Sequence, residues 1–139
     1  MLVTVIALAG CGADTDDPTD EAVLGGKSEP EPAPSWFTDR EKLPACETVD
    51  RQPGGEVPAE AERCLLEGLR GAGAELILRD STVEGDPIDT YWRAVPGARG
   101  LEKMVDSSRD SFAGQQWTWS TCPDATGLSE IGQCRARQG

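Results

Sequence analysis

Five cysteines in a chain with little else to build a core from limit what this sequence can become. Aromatic residues make up 5% of the 139 positions and hydrophobic residues 37%, so one domain of about 100 residues has a thin interior and gains from covalent staples. Four of the cysteines, Cys46, Cys64, Cys122 and Cys134, fall within the region with folding potential, and the fifth, Cys11, stands far upstream. An even set in an oxidising compartment implies disulfides, with three pairings open. The favoured pairing joins Cys46 to Cys64 and Cys122 to Cys134, and its rival links Cys64 to Cys122. A zinc site is disfavoured because its ligands usually include a pair two to four residues apart, and these cysteines contain none.

Cys11 has its own context. Met1 to Ala9 is an uncharged apolar run ending in Leu8-Ala9-Gly10-Cys11, which resembles a bacterial lipobox: an aliphatic residue, two small residues, then the cysteine to be acylated. The resemblance implies a signal peptide over residues 1–10, removed on export, and a lipid (palmitate or a similar acyl chain) on Cys11. About nine apolar residues cannot cross a bilayer as a helix, which takes about 20. A diacylglyceryl cysteine carries two chains, enough for stable anchoring. No Lys or Arg precedes Cys11, as a signal peptide would have it, which leaves the true start codon open. The competing reading is a cytosolic protein whose apolar N-terminus packs on the domain.

Residues 12–34 carry seven acidic side chains against Lys27 alone, with four prolines. Such a segment buries too little to fold, and self-repulsion and proline stiffness make it an extended tether. Residues 11–34 are therefore expected to link the lipid to a single domain spanning 35–139. The whole chain has a formal net charge of -12, so a nucleic-acid backbone would repel it.

Within 35–139 the clearest periodicity runs from Pro58 to Arg70, where Ala61, Cys64, Leu65, Gly68 and Leu69 share one helical face. Pro58 suits the first turn and Gly71 the stop. Four extended segments follow: 74–83, with Leu76 and Leu78 on one face; 90–95; 101–106, with Leu101, Lys103 and Val105 opposed to Glu102, Met104 and Asp106; and 116–122. Turns at 84–87 and 96–97 are too short for parallel crossovers. The expected fold is α+β, one helix packed on a four-stranded antiparallel meander.

The chain lacks histidine, which excludes Ser-His-Asp and Cys-His relays and His-ligated metals. Gly71 and Gly73 follow a helix, whereas a phosphate-binding loop precedes one. What remains are carboxylates at strand ends, Glu84, Asp86, Asp106 and Asp110, with Arg109 beside them. They form a candidate ion or partner site. Asp106 to Asp110 lacks the alternating spacing of a calcium loop, and so small a domain leaves little room for a carboxylate enzyme's cleft. The alternative is structural: Asp86-Pro87 sets a turn, Asp110 caps a loop and Arg109 neutralises a neighbour. No cofactor and no metal is expected.

The two carboxylate segments, T-x-E-G-D-P-I and D-x-x-R-D-x-F, are similar to those of a family of secreted or lipid-anchored bacterial domains of unknown function. The matching positions are Thr82, Glu84, Gly85, Asp86, Pro87, Asp106, Arg109, Asp110 and Phe112. The resemblance covers residues 74–122 and implies a small α+β domain behind a lipoprotein signal, without an activity. The expectation is thus a membrane-anchored, extracytoplasmic, non-enzymatic binding or structural module with an envelope protein or glycan as partner. A calcium-binding module or a carboxylate-based enzyme is the alternative. Trp36, Trp117 and Trp119 in one exposed patch would point to such a partner.

Overall fold

The computed structural model describes residues 29–112, 114 and 116–138. The lipobox, Cys11 and the tether up to residue 28 lie outside the described residues. The elements are α1 (Ser35–Thr38), β1 (Ala45–Asp50), α2 (Ala59–Gly68), β2 (Ala74–Ser81), β3 (Pro87–Ala94), β4 (Leu101–Asp106), β5 (Trp117–Cys122) and β6 (Arg135–Ala136).

All six strands form one mixed sheet in chain order, β1-β2-β3-β4-β5-β6. This corrects the expected four-stranded antiparallel meander with one helix. The segments expected to be extended do become β2 to β5 and pair antiparallel, but β1 adds to β2 in parallel and β6 pairs with the far side of β5. A parallel neighbour needs a long crossover, and α2 supplies it between β1 and β2. β1 escapes a pattern search because it turns only Cys46 and Val49 inward, with an irregular register between Ala45 and Thr48. Its outward Glu47 and Asp50 place charge on the sheet edge, which discourages pairing with another chain. β6 is two residues long and carries no periodic signal.

Register divides the sheet into two faces. Leu76, Trp92, Lys103 and Ser120 lie opposite one another across β2 to β5, as do Ile77, Tyr91, Met104 and Trp119 on the other face. α2 covers the first face with Ala61 and Leu65, and the main core gathers these with Ala74, Leu76, Leu78, Trp92, Ala94 and Leu101. Gly68 ends α2 where the helix meets β2: a Cβ there would collide with that of Ala74. Gly100 has φ +70°, and its missing side chain makes way for the Cys122 carbonyl.

Two disulfides staple this layer. Cys46–Cys64 ties edge strand β1 to α2, and Cys122–Cys134 ties the end of β5 to the chain leading into β6, with Cα separations of 6.0 and 4.1 Å. Loops of 18 and 12 residues each contribute about 3 kcal/mol in the chain-entropy account, which matters in a core this thin.

Candidate functional site

The β2–β3 turn and the β4–β5 connection do meet at one end of the sheet. The turn is closed by Thr82 N–H donating to the Asp86 carbonyl (2.8 Å) and Asp86 N–H donating to the Thr82 hydroxyl (3.1 Å). Across the gap, Ser111 N–H donates to the Asp86 carboxylate at 2.9 Å, joining the two loops. Asp106 accepts from Ser108 N–H and Asp110 from Phe112 N–H, both at 2.9 Å, the local geometry by which aspartates fold a turn over themselves. Both aspartates are buried. Arg109 donates to Asp89 at 2.9 Å, and Arg79 takes the other oxygen of the same carboxylate at 2.9 Å.

Of the five residues singled out from sequence, Asp86, Asp106, Arg109 and Asp110 are thus gathered at this end, while Glu84 is exposed at the turn's tip. Among the described residues, no three Asp, Glu, Cys or His side chains stand close enough to hold a metal ion. Main-chain donors take up the aspartates, so the arrangement does the work of turn-building and charge pairing. Asp89, buried between two arginines, was not singled out. It lies just before the segment expected to be extended, 90–95, whereas β3 begins at Pro87.

The face of the sheet opposite α2 gathers the three tryptophans singled out from sequence, Trp36, Trp117 and Trp119, with partners the sequence did not indicate. α1 lies across it, and Trp36 and Phe37 join Tyr91, Trp117 and Trp119 in one aromatic cluster. Trp36 stacks on Trp119 with centroids 5.4 Å apart, and Phe37 meets Tyr91 edge-on at 4.7 Å. Phe37 also contacts Trp117 at 4.4 Å, and Trp117 Nε1 donates to the Glu31 carbonyl. Trp36, Trp117 and Trp119 are half-buried and contiguous, whereas Trp92 belongs to the core.

Beside the rings runs a row of alternating charge. Arg40 makes a two-pronged pair with Glu75 (2.9 and 3.0 Å) while lying 3.7 Å above the Phe37 ring. Arg93, only 5% exposed, lies between Glu75 (3.1 Å) and Glu102 (2.9 Å) and donates to the Glu41 carbonyl at 2.6 Å. Arg137 closes the row, 3.4 Å from Glu102 and over the Trp119 ring. Burial in this cluster raises the Tyr91 phenol above its ordinary value, and the charges of Asp89 and Asp106 raise it further. Trp36, Trp119, Arg93 and Glu102 border a hollow of about 240 Å³.

No family model, no curated protein and no solved structure matches this chain.

Proposed function

We propose that the chain is a lipid-anchored extracytoplasmic envelope protein whose domain is a non-enzymatic binding or structural module. The observation that carries this reading is the pair of disulfides, which form and persist outside the reducing cytosol. The lipobox motif Leu8-Ala9-Gly10-Cys11 supports the same address, and the two motif segments support kinship with secreted or lipid-anchored bacterial domains. Among the described residues no helix is long and apolar enough to cross a membrane. The lipid on Cys11 is then the anchor, and residues 12–34 are the tether.

Support for binding comes from the half-buried patch of Trp36, Trp117 and Trp119 flanked by Arg40 and Arg137. Tryptophan and arginine are the residues that most often anchor protein interfaces. An envelope protein or glycan is the partner such a surface fits. The calcium and carboxylate-enzyme alternatives gain less support, because backbone amides hold Asp86, Asp106 and Asp110 in turns.

Membrane fractionation with labelled palmitate tests the address: the native chain should be labelled and sediment with membranes, and Cys11→Ser should be unlabelled and soluble. Label retained by Cys11→Ser would overturn the anchor. Melting the protein with calcium and with a chelator tests the alternative, since the proposed module should melt at one temperature in both, and so should Asp110→Asn at a slightly lower one.

A further inference from the structure

Beside α2, on the helix-bearing face of the sheet, a second hollow of about 280 Å³ opens. Its floor is Thr90, Trp92 and Lys103, adjacent positions on β3 and β4, with Leu78 of β2 beside them. Val57, Leu128 and Ile131 supply further apolar lining, and Thr90, Lys103 and the Arg51–Asp80 pair supply the polar groups. Part of this lining belongs to the two disulfide-closed loops: Arg51 and Val57 lie between Cys46 and Cys64, and Leu128 and Ile131 between Cys122 and Cys134. The staples hold both sides of the opening in place, and the Leu128 N–H of one loop donates to the Glu62 carboxylate of the other at 2.7 Å.

Two floor groups open onto the hollow without a hydrogen bond or ion pair to another described residue. Lys103 sits with its ammonium 5.4 Å from the Trp92 ring and, in a chain of net charge -12, has no carboxylate within ion-pair distance among the described residues. Thr90 is 9% exposed, and its hydroxyl makes no hydrogen bond among the described residues. The nearest acid in the lining, Asp80, is already held two-pronged by Arg51 at 2.6 and 2.9 Å. That pair is neutral in sum, so Lys103 leaves the hollow with a single uncompensated positive charge.

From this geometry we infer that the hollow is a binding site for a small organic monoanion: a carboxylate received by Lys103 and Thr90, with an apolar body against Val57 and Leu128. The cation, the hydroxyl donor and the apolar lining are each matched by one part of such a ligand. A doubly charged group such as phosphate is a poorer fit, because the lining offers one uncompensated positive charge. The volume suits about ten non-hydrogen atoms.

The test is amide-resonance titration of the full 139-residue chain with phenylacetate and hexanoate, using phenylacetamide and hexanamide as uncharged controls. The acids should shift Thr90, Trp92 and Lys103 saturably with a Kd on the order of 1 mM or below, and the amides should bind at least about tenfold more weakly. Lys103→Met keeps the apolar stem over Trp92 and should weaken the acids about tenfold, and Thr90→Val about threefold. Absence of a saturable shift up to about 10 mM, or amides binding as well as acids, overturns the site. So does undiminished affinity in a folded Lys103→Met. The comparison of acid with amide needs no variant, so a misfolded mutant does not shelter the proposal.

Discussion

Replacing Arg93 with methionine keeps most of the side chain's volume and removes its charge from the centre of the charge row. Arg93 is 5% exposed and holds two carboxylates and one carbonyl, and Glu75 and Glu102 are themselves only 14% and 13% exposed. Breaking a buried pair by deleting one partner costs about 3–5 kcal/mol, because the remaining charge stays buried without compensation. The two glutamates do not suffer equally. Glu75 keeps the two-pronged contact from Arg40, whereas Glu102 is left with Arg137 at 3.4 Å, a side chain 48% exposed. The loss should therefore fall near the low end, about 3 kcal/mol, and most of it should trace to Glu102. Adding Glu102→Gln to Arg93→Met should recover about 1–2 kcal/mol, since an amide is far cheaper to leave buried than a carboxylate. Urea unfolding of the oxidised protein, compared at constant m-value, measures both. A cost below about 1 kcal/mol for Arg93→Met would mean that the row behaves as solvent-exposed pairs do. Further destabilisation from Glu102→Gln in that background would refute the assignment of the penalty to Glu102.

Other expectations follow from the same contacts. The Tyr91 phenol is raised in the folded state, so above its ordinary value near 10 the unfolded chain ionises first and the folded state loses relative stability as pH climbs. Tyr91→Phe should remove that decline, and ultraviolet titration of the chain's single tyrosine should show a midpoint above the ordinary one. Replacing Cys122 and Cys134 together by alanine should cost about 3 kcal/mol in urea unfolding, with a similar loss for Cys46 with Cys64. Leu65→Ala empties a fully buried position under α2 and should cost about 3 kcal/mol.

The parts of the fold legible in the sequence are those where one periodicity dominates. Ala61, Cys64, Leu65 and Gly68 mark α2 because only one face of the helix is apolar, and Leu76 and Leu78 mark β2 by alternation. The favoured disulfide pairing is the one present, since both bridges close short loops between neighbouring elements. β1 was hidden because an edge strand with charges outward and only Cys46 and Val49 inward resembles a polar loop. The charge row on the second face was hidden for a different reason. Glu75, Arg93 and Glu102 have the composition of a solvent-facing row, yet they pair with one another and with Arg40 and Arg137 beside α1, a four-residue helix too short to show a period. Of the candidate site, the juxtaposition of the two carboxylate segments was readable from meander geometry. Their use of backbone amides, and the central place of Asp89, depended on side-chain directions that spacing does not encode.

The central claim, an exported and lipid-anchored domain closed by two disulfides, meets its most direct test in the intact mass of the protein extracted from its native membranes without reductant. The expected species lacks residues 1–10, carries a diacylglyceryl group on Cys11, and is four hydrogens lighter than its reduced form, from the bridges Cys46–Cys64 and Cys122–Cys134. A species retaining residues 1–10, unacylated at Cys11 and with all five thiols free, would contradict it.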